Sequence, residues 1–277
     1  MVGGPVAPDS PMSPSGSRAV ERRGSLPPGV FRSIDDCVAA AAEAFKTFGR
    51  LGLSKRKEII ASIRASMAEH GDDLAREAWE ETGLGRIEDK IRKNRLVTVK
   101  TPGPEVLEPT AWTGDDGLTL VEPAPYGVIA AITPTTNPTS TIICNSIGML
   151  SAGNTVVFNV HPGAKQVSCR NVGLINEAVM RAGGPPNVVT AMGEPTIASA
   201  QTLMRHSGIR LLVVTGGPGV VKEAMSSGKR AICAGPGNPP VVVDETAIID
   251  QAARHIVTGA SLDNNVICVD EKEVFVV

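Results

Sequence analysis

The stretch that decides the fold is residues 126–160, YGVIAAITPTTNPTSTIICNSIGMLSAGNTVVFNV. It begins with the apolar run 126–132, continues through a helix-length segment at 139–151, and ends in a second apolar run at 155–160. Two short apolar strands joined by a helix form the repeating unit of parallel sheets, because a parallel pair needs a long crossover connection. The stretch therefore predicts an α/β protein whose mostly parallel sheet is covered by helices on both faces.

The same alternation continues along the chain to residue 259. Further strands are predicted at 188–192, 209–214 and 241–243, and further helices at 164–182, 195–206, 218–227 and 246–259. Ligands of such sheets bind beyond the carboxyl ends of the strands. The candidate binding loops are therefore ITPTTNP, FNVHP and VTGGPG, each of which stands at the end of a predicted strand.

The residues upstream of this sheet are predicted to be helical. Apolar residues recur at three-to-four spacing after Ser33, which is placed to cap a first helix that ends at Gly49. A second helix is predicted from Ser54 to Gly71, and a third over 72–82. A Pro/Gly-rich passage then separates the helices from the sheet.

Two polar regions of this upstream half carry no site in our interpretation. Glu80, Glu81 and the charged residues of 86–95 are interpreted as solvated helix faces. Residues 1–28 are rich in Pro, Gly and Ser and hold few apolar side chains, so we predict a disordered tail.

Composition excludes several classes of function. The 277 residues carry a formal net charge of -2 and a sequence pI near 6.1, so we expect neither a nucleic acid nor a membrane partner. The five cysteines are scattered, with no Cys-x-x-Cys pair and no Cys/His cluster at metal spacing, which favours free thiols in a reducing cytoplasm and no metal site. No apolar run is as long as a membrane span, and no signal-peptide pattern is present.

One thiol stands out near the end of the chain. Cys268 lies in the short apolar run of SLDNNVICVDEKEVFVV, residues 261–277. Backbone N–H groups, a helix N-terminus or a cation can lower the pKa of a thiol enough to make it a nucleophile. The alternative is a buried small hydrophobe, which is what free cysteines usually are.

The glycine-rich turn at residues 214–219 opens a predicted helix directly after a predicted strand. That geometry presents backbone N–H groups to a phosphate. Neither this turn nor Gly235-Pro236-Gly237 supplies the third glycine of the dinucleotide fingerprint G-x-G-x-x-G. Phosphate binding and a plain tight turn therefore both remain open on the motif alone.

Five motifs occur in one order along the chain: ITPTTNP, VVFNVHP, VTGGPGVV, AGPGNPPVVV and DNNVICVDEK. In this order they resemble the aldehyde dehydrogenase superfamily, and the resemblance covers residues 29–277. The segments NVHP and AGPGN resemble its CoA-acylating branch, especially the ethanolamine- and propanediol-utilisation enzymes of bacterial microcompartments.

This resemblance implies a site. Cys268 is the expected nucleophile, and the Asn137 side chain and the Cys268 backbone N–H are expected to hold the oxyanion. On local sequence alone, Asn137 could instead be a turn residue before Pro138. The residues expected to bind the cofactor are Thr133, Pro134, His161, Pro162, Thr215, Gly216, Gly217 and Gly235. For His161 a capping or core-edge imidazole is an equal alternative, and the other cysteines are assigned to packing.

Three departures from the hydrolytic branch fit the acylating one. The hydrolytic segment E-L-G-G-K-S-P opens with a glutamate that activates water, and Ala234 occupies that position here. Asn238 replaces the lysine of that segment, and FNVHP has no counterpart of the lysine used near the cofactor ribose. Without a general base for water, a CoA thiolate is the better nucleophile toward a thioester.

The resemblance also divides the chain and suggests an activity. It implies a tail at 1–28, an N-terminal helical segment at 29–117 that packs on the cofactor domain, a Rossmann-like NAD-binding domain at 118–259, and the start of a catalytic domain at 260–277. We expect the family's later part of the catalytic domain to be missing. The implied reaction is NAD-dependent oxidation of acetaldehyde or propionaldehyde to acyl-CoA, with NAD as cofactor and coenzyme A as co-substrate.

Other hypotheses about the function remain open. The chain could be a truncated, non-catalytic remnant that binds nucleotide or serves as a partner subunit, or the aldehyde domain of a bifunctional alcohol/aldehyde dehydrogenase. The expected partners are a small aldehyde and CoA, a homo-oligomer when the chain is full length, and contacts to microcompartment shell or cargo. The expected location is the cytoplasm or the inside of a bacterial microcompartment.

Overall fold

A computed structural model describes residues 26–277. Nearly all of the predicted tail lies outside the described residues. In chain order the strands are β1 (Val30–Phe31), β2 (Thr110–Gly114), β3 (Gly117–Val121), β4 (Val128–Ile132), β5 (Thr155–Asn159), β6 (Val189–Met192), β7 (Leu211–Thr215), β8 (Ala231–Ala234), β9 (Pro240–Val243) and β10 (Glu273–Val276). The α-helices are α1 (Ile34–Phe48), α2 (Leu53–Thr82), α3 (Ile87–Lys100), α4 (Pro138–Ser151), α5 (Lys165–Arg181), α6 (Ile197–Arg205), α7 (Pro218–Met225) and α8 (Ile249–Ala260).

The predicted α/β architecture with a parallel sheet is confirmed. Six strands form the central sheet in the order β1-β6-β5-β4-β7-β8, and every neighbouring pair is parallel. The stretch that decided the fold supplies β4, α4 and β5. A further antiparallel hairpin, β2–β3, and a separate parallel pair, β9–β10, lie outside this sheet.

Alternate residues of the central strands enter two different cores. Ala131 and Phe158 pack with the apolar faces of α2, α4 and α5, whereas Ala130 and Val157 pack with those of α1 and α6. Successive side chains of a strand point to opposite faces, so both faces of the sheet are covered by helices. This burial on both sides explains why the strands appear in the sequence as continuous apolar runs.

The first predicted helix is confirmed in its bounds. Ser33 caps α1 by accepting a hydrogen bond from the Asp36 N–H, and Gly49 follows its last residue. The next prediction was wrong, because the second and third helices are one continuous helix, α2. A glycine inside a helix costs only about 1 kcal/mol, and Gly71 is buried where its carbonyl accepts a 2.8 Å hydrogen bond from Asn94 of α3. Packing therefore outweighs the local signal to stop.

The prediction of solvated charged faces holds for only part of the chain. Glu80 is exposed, whereas Asp89 and Lys90 are buried on the face of α3 that contacts residue 263. Glu81 is also used, because its carboxylate accepts the backbone N–H groups of Gln166 and Val167, both at 2.9 Å. These N–H groups belong to the first turn of α5, where no intrahelical acceptor exists. Glu81 therefore caps α5 from another helix.

The sheet differs from the prediction at its margins. The segment 241–243 was predicted as a strand of the main sheet, but β9 pairs only with β10. The loop before β9 contains two prolines and β9 itself begins with a third, Pro240; these residues lack a backbone N–H, and the loop carries the chain away from the sheet edge. The sequence reading missed β1, β8 and the β2–β3 hairpin, which falls largely in the Pro/Gly-rich passage.

Several apolar surfaces are exposed outside the central sheet. All residues of β2, β3 and β10 are exposed, and α8 has no buried residue. Their exposed apolar side chains include Trp112, Leu118, Ile249 and Phe275. Across residues 26–277, no helix combines the length and the apolar character that crossing a membrane requires.

We predict that Glu81→Ala lowers the free energy of unfolding by about 1–2 kcal/mol, because two N–H groups of α5 lose their acceptor. Urea unfolding followed by circular dichroism measures the change. Glu80→Ala is the matched control, since it also removes a glutamate carboxylate, but from the exposed neighbouring position. It is expected to change the free energy of unfolding by less than about 0.5 kcal/mol. Equal effects of the two substitutions would contradict the capping role.

Candidate active site

The carboxyl ends of four neighbouring strands meet at one edge of the central sheet. The β4 residue Ile132 pairs with Asn159 of β5 and with Val214 of β7, and Thr215 of β7 pairs with Ala234 of β8. The loops that follow these strands therefore start side by side. Together with Thr215, the last residue of β7, these loops contain all the residues that the resemblance assigns to the cofactor, namely Thr133, Pro134, His161, Pro162, Thr215, Gly216, Gly217 and Gly235.

This edge offers backbone and hydroxyl groups to a ligand. Thr133 is 3% exposed, and its Oγ1 is buried without a hydrogen-bond partner among the described residues. Gly217 precedes the first residue of α7, where the backbone N–H groups of a helix point outward. An added Cβ at Gly217 or Gly235 would meet no atom within 4 Å, so both turns are open.

His161 caps a helix, which is one of the two roles that the sequence left open for it. Its Nδ1 accepts a 3.1 Å hydrogen bond from the Gly163 N–H and caps the short 3₁₀ helix Pro162–Ala164. The imidazole is exposed. Contact between His161 and a cofactor stays a prediction.

The segment that carries Cys268 is a tightly bonded turn. It starts with the short 3₁₀ helix Leu262–Asn265, in which Asp263, Asn264 and Asn265 have φ angles of 47°, 57° and 59°. Three successive left-handed residues are unusual, and Asp and Asn tolerate that conformation better than other non-glycine residues. The DNN sequence thus allows the chain to turn sharply before the cysteine.

Hydrogen bonds hold both sides of this turn. Asn265 donates from Nδ2 to the carbonyls of Ala260 at 2.6 Å and Glu271 at 3.2 Å. Lys272 donates to the carbonyls of Asn265 at 3.1 Å and Ile267 at 3.2 Å. Cys268 lies between these anchors and is half-buried, in turn conformation rather than in a strand.

A buried carboxyl lies two residues after the thiol. Asp270 is 3% exposed and accepts a 3.2 Å hydrogen bond from the Ile267 N–H. Desolvation raises the pKa of Asp270, although the Ile267 N–H and the charges of Lys272 and Lys93 act in the opposite direction. This carboxyl is therefore part of the bonded turn.

The glycine-rich AGPGN loop contacts the same turn. An added Cβ at Gly237 would lie 1.7 Å from the Cys268 carbonyl oxygen and 2.8 Å from its carbonyl carbon. Backbone approaches as close as this require glycine. Two motifs that are distant in the sequence are thus in direct backbone contact at the thiol.

Asn137 stands at the start of α4, but its side chain does not cap that helix. Its Oδ1 accepts a 2.5 Å hydrogen bond from Lys93 of α3, and its Nδ2 donates to Thr136 Oγ1 at 3.0 Å. The structure therefore does not use the Asn137 side chain for a local turn. Its amide is held by a lysine 44 residues away in the sequence.

A cluster of buried charges joins α3 to the cysteine turn. Asp263 is 0% exposed, and its carboxylate accepts from the Arg86 N–H at 2.6 Å, from Lys90 at 3.4 Å, and from Lys93. Its own N–H donates to Asp89 at 2.9 Å. We call Asp89, Lys90, Lys93 and Asp263 the α3 charge cluster. The sequence reading missed this cluster, although Lys90 and Lys93 share one face of a helix.

Burial changes the acidity of two members of the cluster. Desolvation and the positive charge of Lys93 lower the pKa of Lys90, and Asp263 only partly offsets them. Desolvation alone would raise the pKa of Asp89, but the Asp263 N–H and the Arg86 guanidinium hold it below its ordinary value. The carboxylate of Asp89 is therefore ionised where it meets the turn.

Two of the remaining cysteines pack in the core, as expected. Cys37 is 0% and Cys169 is 8% exposed. Burial raises the pKa of the Cys37 thiol to about 12 and that of Cys169 to about 11, so both are protonated at neutral pH. Cys144 and Cys233 are half-buried. Within residues 26–277, no three His, Cys, Asp or Glu side chains are grouped to hold a metal ion.

The aldehyde dehydrogenase family model matches residues 23–277 of this chain. The chain belongs to the aldehyde dehydrogenase family. The match includes all four strand-end loops, the last of which is the AGPGN loop, and the cysteine turn. The fold expected from the sequence resemblance is thereby confirmed.

Individual members of the family are also close in sequence and structure. The acetylating acetaldehyde dehydrogenase EutE of Escherichia coli K12 is 52% identical over 250 residues, which are 90% of this chain and 53% of that protein. A propionaldehyde dehydrogenase from the fucose utilisation microcompartment of Clostridium phytofermentans superposes with a TM-score of 0.87 at 52% identity, over 90% of this chain and 57% of that one. The Rhodopseudomonas palustris propionaldehyde dehydrogenase, solved with bound CoA and an acylated cysteine, gives 0.86 at 51% identity over 90% and 57% of the two chains.

The chain spans about half the length of the curated relatives that it matches, as the 53% coverage of EutE illustrates. This aldehyde dehydrogenase chain thus contains the strand-end loops and the turn with Cys268. The substrate and cofactor of the whole protein are matters for a proposal.

We predict that Gly237→Ala displaces the Cys268 turn, because the new Cβ cannot lie 1.7 Å from the Cys268 carbonyl oxygen. The expected results are faster alkylation of Cys268 by iodoacetamide and a loss of stability of about 1–3 kcal/mol. Peptide mass mapping and thermal unfolding measure them. Cys37 and Cys169 should stay unlabelled throughout, because they are buried and protonated.

Gly148→Ala serves as the control for this experiment. Gly148 is an exposed position of α4 where an added Cβ meets nothing within 4 Å. It should leave the labelling of Cys268 unchanged and stabilise the protein by about 0.5–1 kcal/mol. Wild-type labelling and stability in Gly237→Ala would show that the turn tolerates the side chain.

Proposed function

We propose that this chain carries the nucleophile and the cofactor-binding edge of a CoA-acylating aldehyde dehydrogenase. The observation that carries the proposal is the contact between Gly237 of the AGPGN loop and the backbone of Cys268. That loop starts at Ala234, where the hydrolytic branch of the family has its glutamate. The segment packed on the thiol therefore brings no general base for water, which favours transfer of the acyl group to a thiol.

In the proposed reaction, Cys268 Sγ forms a bond to the aldehyde carbon, and the carbonyl π electrons move to the oxygen. The Asn137 amide and the Cys268 backbone N–H stabilise the resulting oxyanion. When the oxyanion collapses, a hydride leaves the carbon and an enzyme thioester remains. The thiolate of CoA then adds to the thioester carbon to form a tetrahedral adduct. Collapse of this adduct breaks the bond to Cys268 Sγ and releases acyl-CoA and the Cys268 thiolate.

NAD, when bound, supplies the two-electron acceptor for that hydride. The strand-end edge fits such a ligand, because Thr133 presents a buried hydroxyl without a partner and Gly217 opens α7. We assign cofactor contacts to Thr133, Pro134, His161, Pro162, Thr215, Gly216, Gly217 and Gly235. The open space at Gly217 and Gly235 supports a close approach of the cofactor to the backbone.

The remaining parts of the proposal concern the whole protein. We assign residues 29–117 to a helical segment, 118–259 to the NAD-binding domain and 260–277 to the start of the catalytic domain. The similarity to acetaldehyde and propionaldehyde dehydrogenases supports a short-chain aldehyde substrate.

Location and assembly are proposed on separate grounds. The similarity to a microcompartment enzyme supports a location in the cytoplasm or a microcompartment. The exposed apolar residues of β2, β3 and α8 support a homo-oligomer when the chain is full length.

A second candidate is a nucleotide-binding chain without turnover. It is favoured by α8, in which no residue is buried, and by β10, all of whose residues are exposed. Both candidates need the strand-end edge, but only the enzyme needs the thiol of Cys268.

Turnover separates the two candidates. The 277-residue protein is mixed with propionaldehyde, NAD and CoA, and NADH is followed by absorbance and propionyl-CoA by mass. We predict CoA-dependent NADH formation that falls at least about 10³-fold in Cys268→Ala, because the covalent intermediate cannot form. Cys144→Ala, a half-buried thiol of α4, is the control and should retain activity.

Turnover that persists in Cys268→Ala would overturn the proposed mechanism. Calorimetric NAD binding with no NADH formation in any variant would favour the second candidate. Replacing NAD with NADP in the same assay gives the coenzyme preference.

A further inference from the structure

We infer that Lys93 and Asp263 are positioning residues that orient the Asn137 amide toward the reacting carbonyl. The inference rests on the proposed function, because it concerns the same oxyanion. Neither residue belongs to the set that the sequence motifs assign. Both lie in the α3 charge cluster.

The geometry joins the two halves of the site through one ammonium group. Lys93 Nζ donates to Asn137 Oδ1 at 2.5 Å and also to the Asp263 carboxylate. Asp263 lies five residues before Cys268, at the start of the bonded turn. The side chain of Lys93 is 12% exposed and that of Asp263 is 0% exposed, so water does not compete strongly for these bonds. Lys93 therefore connects the Asn137 amide at the start of α4 to the turn that carries the thiol.

The lysine selects one of the two orientations of the amide. An ammonium group is only a donor, so it can face Oδ1 of Asn137 but not its NH₂ group. The bond from Lys93 therefore directs Nδ2 away from α3. One Nδ2 hydrogen is used by Thr136 Oγ1 at 3.0 Å, and the second is available to an oxyanion. The positive charge of the Lys93 ammonium group beside Oδ1 also polarises the amide and makes its N–H groups stronger donors.

The buried Asp263 carboxylate has enough hydrogen-bond donors without Lys93. The Asp263 carboxylate already accepts from the Arg86 N–H at 2.6 Å and from Lys90 at 3.4 Å, and its backbone N–H is bonded to Asp89. A second buried lysine adds a desolvation cost, and a buried ion pair is often no better for stability than an apolar side chain of similar volume. What Lys93 adds is the bond to Asn137.

The test follows acyl transfer from propionyl-CoA to Cys268 by intact-protein mass, without aldehyde or NAD. This thiol exchange passes through a tetrahedral oxyanion, so it needs the same amide. We expect Lys93→Met to slow acylation at saturating propionyl-CoA by about 10- to 100-fold, with the half-saturating concentration unchanged. Asn137→Ala should slow acylation by about 10²- to 10³-fold. The variant that combines Lys93→Met with Asn137→Ala should be no slower than Asn137→Ala alone, because Lys93 acts only through the Asn137 amide.

Several measurements separate positioning from a general loosening of the site. Alkylation of Cys268 by iodoacetamide forms no oxyanion, so its rate should be equal in Lys93→Met and wild type. Lys93→Arg keeps the charge and a donor and should recover part of the acylation rate. Arg95→Met removes a basic side chain from the exposed side of the same helix, where it pairs with Asp72, and should behave as wild type.

A further variant covers the case in which Lys93→Met does not fold. Lys93→Met combined with Asp263→Asn removes one charge of each sign and so keeps the net charge of the α3 charge cluster, and the amide oxygen that replaces the carboxylate can still accept from Lys90. We expect this pair to show native circular dichroism and the same slow acylation.

The outcomes distinguish the inference from the proposed function. Wild-type acylation rates in Lys93→Met, or an effect that adds in full to that of Asn137→Ala, would overturn the inference and leave the proposed function standing. Parallel losses of alkylation and acylation would also overturn it, since they indicate a disturbed turn. Failure of the wild-type protein to become acylated on Cys268 would overturn both.

Discussion

The central strand β4 sets where the candidate site begins. It hydrogen-bonds to β5 on one side and β7 on the other, with Ile132 in register with Asn159 and Val214. Because all these strands are parallel, a shared register makes their carboxyl ends coincide. Five consecutive buried residues in β4 fix this register from both faces, since alternate side chains enter the two cores. The positions of the loops thus follow from the packing of the sheet.

The thiol depends on a different kind of interaction. Cys268 lies outside the central sheet, in a turn whose backbone bends through three left-handed residues. This turn is held by the buried carboxylate of Asp263, which accepts hydrogen bonds from Lys90 and Lys93 of α3 and from the Arg86 N–H just before α3. A buried charge left without these partners would cost several kcal/mol. The α3 charge cluster therefore fixes the turn relative to the sheet, because α3 also packs against α4 and bonds Asn137.

The elements that follow from local pattern were predictable from the sequence. The β4–α4–β5 unit, the cap at Ser33 and the convergence of the strand-end loops depend on apolar periodicity and parallel topology, both of which are visible over a few tens of residues. The merging of two predicted helices into α2 was not predictable locally, because the cost of Gly71 is smaller than the gain from packing on α3. The strand β8 was missed because its apolar run, Ala231–Ala234, is only four residues long and leads directly into the Gly/Pro-rich AGPGN loop.

The charge cluster could not be predicted for a related reason. A lysine or aspartate in a sequence is most often solvated, and the partners of Asp263 lie 170 to 177 positions away. The motif resemblance identified Asn137 and Cys268 as a pair, but a motif does not show what holds its residues in place. Side chains that orient a reacting group are set by tertiary contacts, and here those contacts come from α3, which lies outside the five motifs that assign the site residues.

The AGPGN loop links the shape of the site to the choice of acyl acceptor. Gly237 packs against the backbone of Cys268 so closely that no side chain fits between them. The same loop starts at Ala234, whose methyl group can neither accept a proton from water nor donate a hydrogen bond. In the proposed reaction, this segment gives an enzyme thioester no base to activate water, whereas a thiolate needs no base. The close backbone contact and the alanine in place of a carboxylate would then act in one direction, because both would keep the acyl group on a fixed sulfur until a thiol removes it.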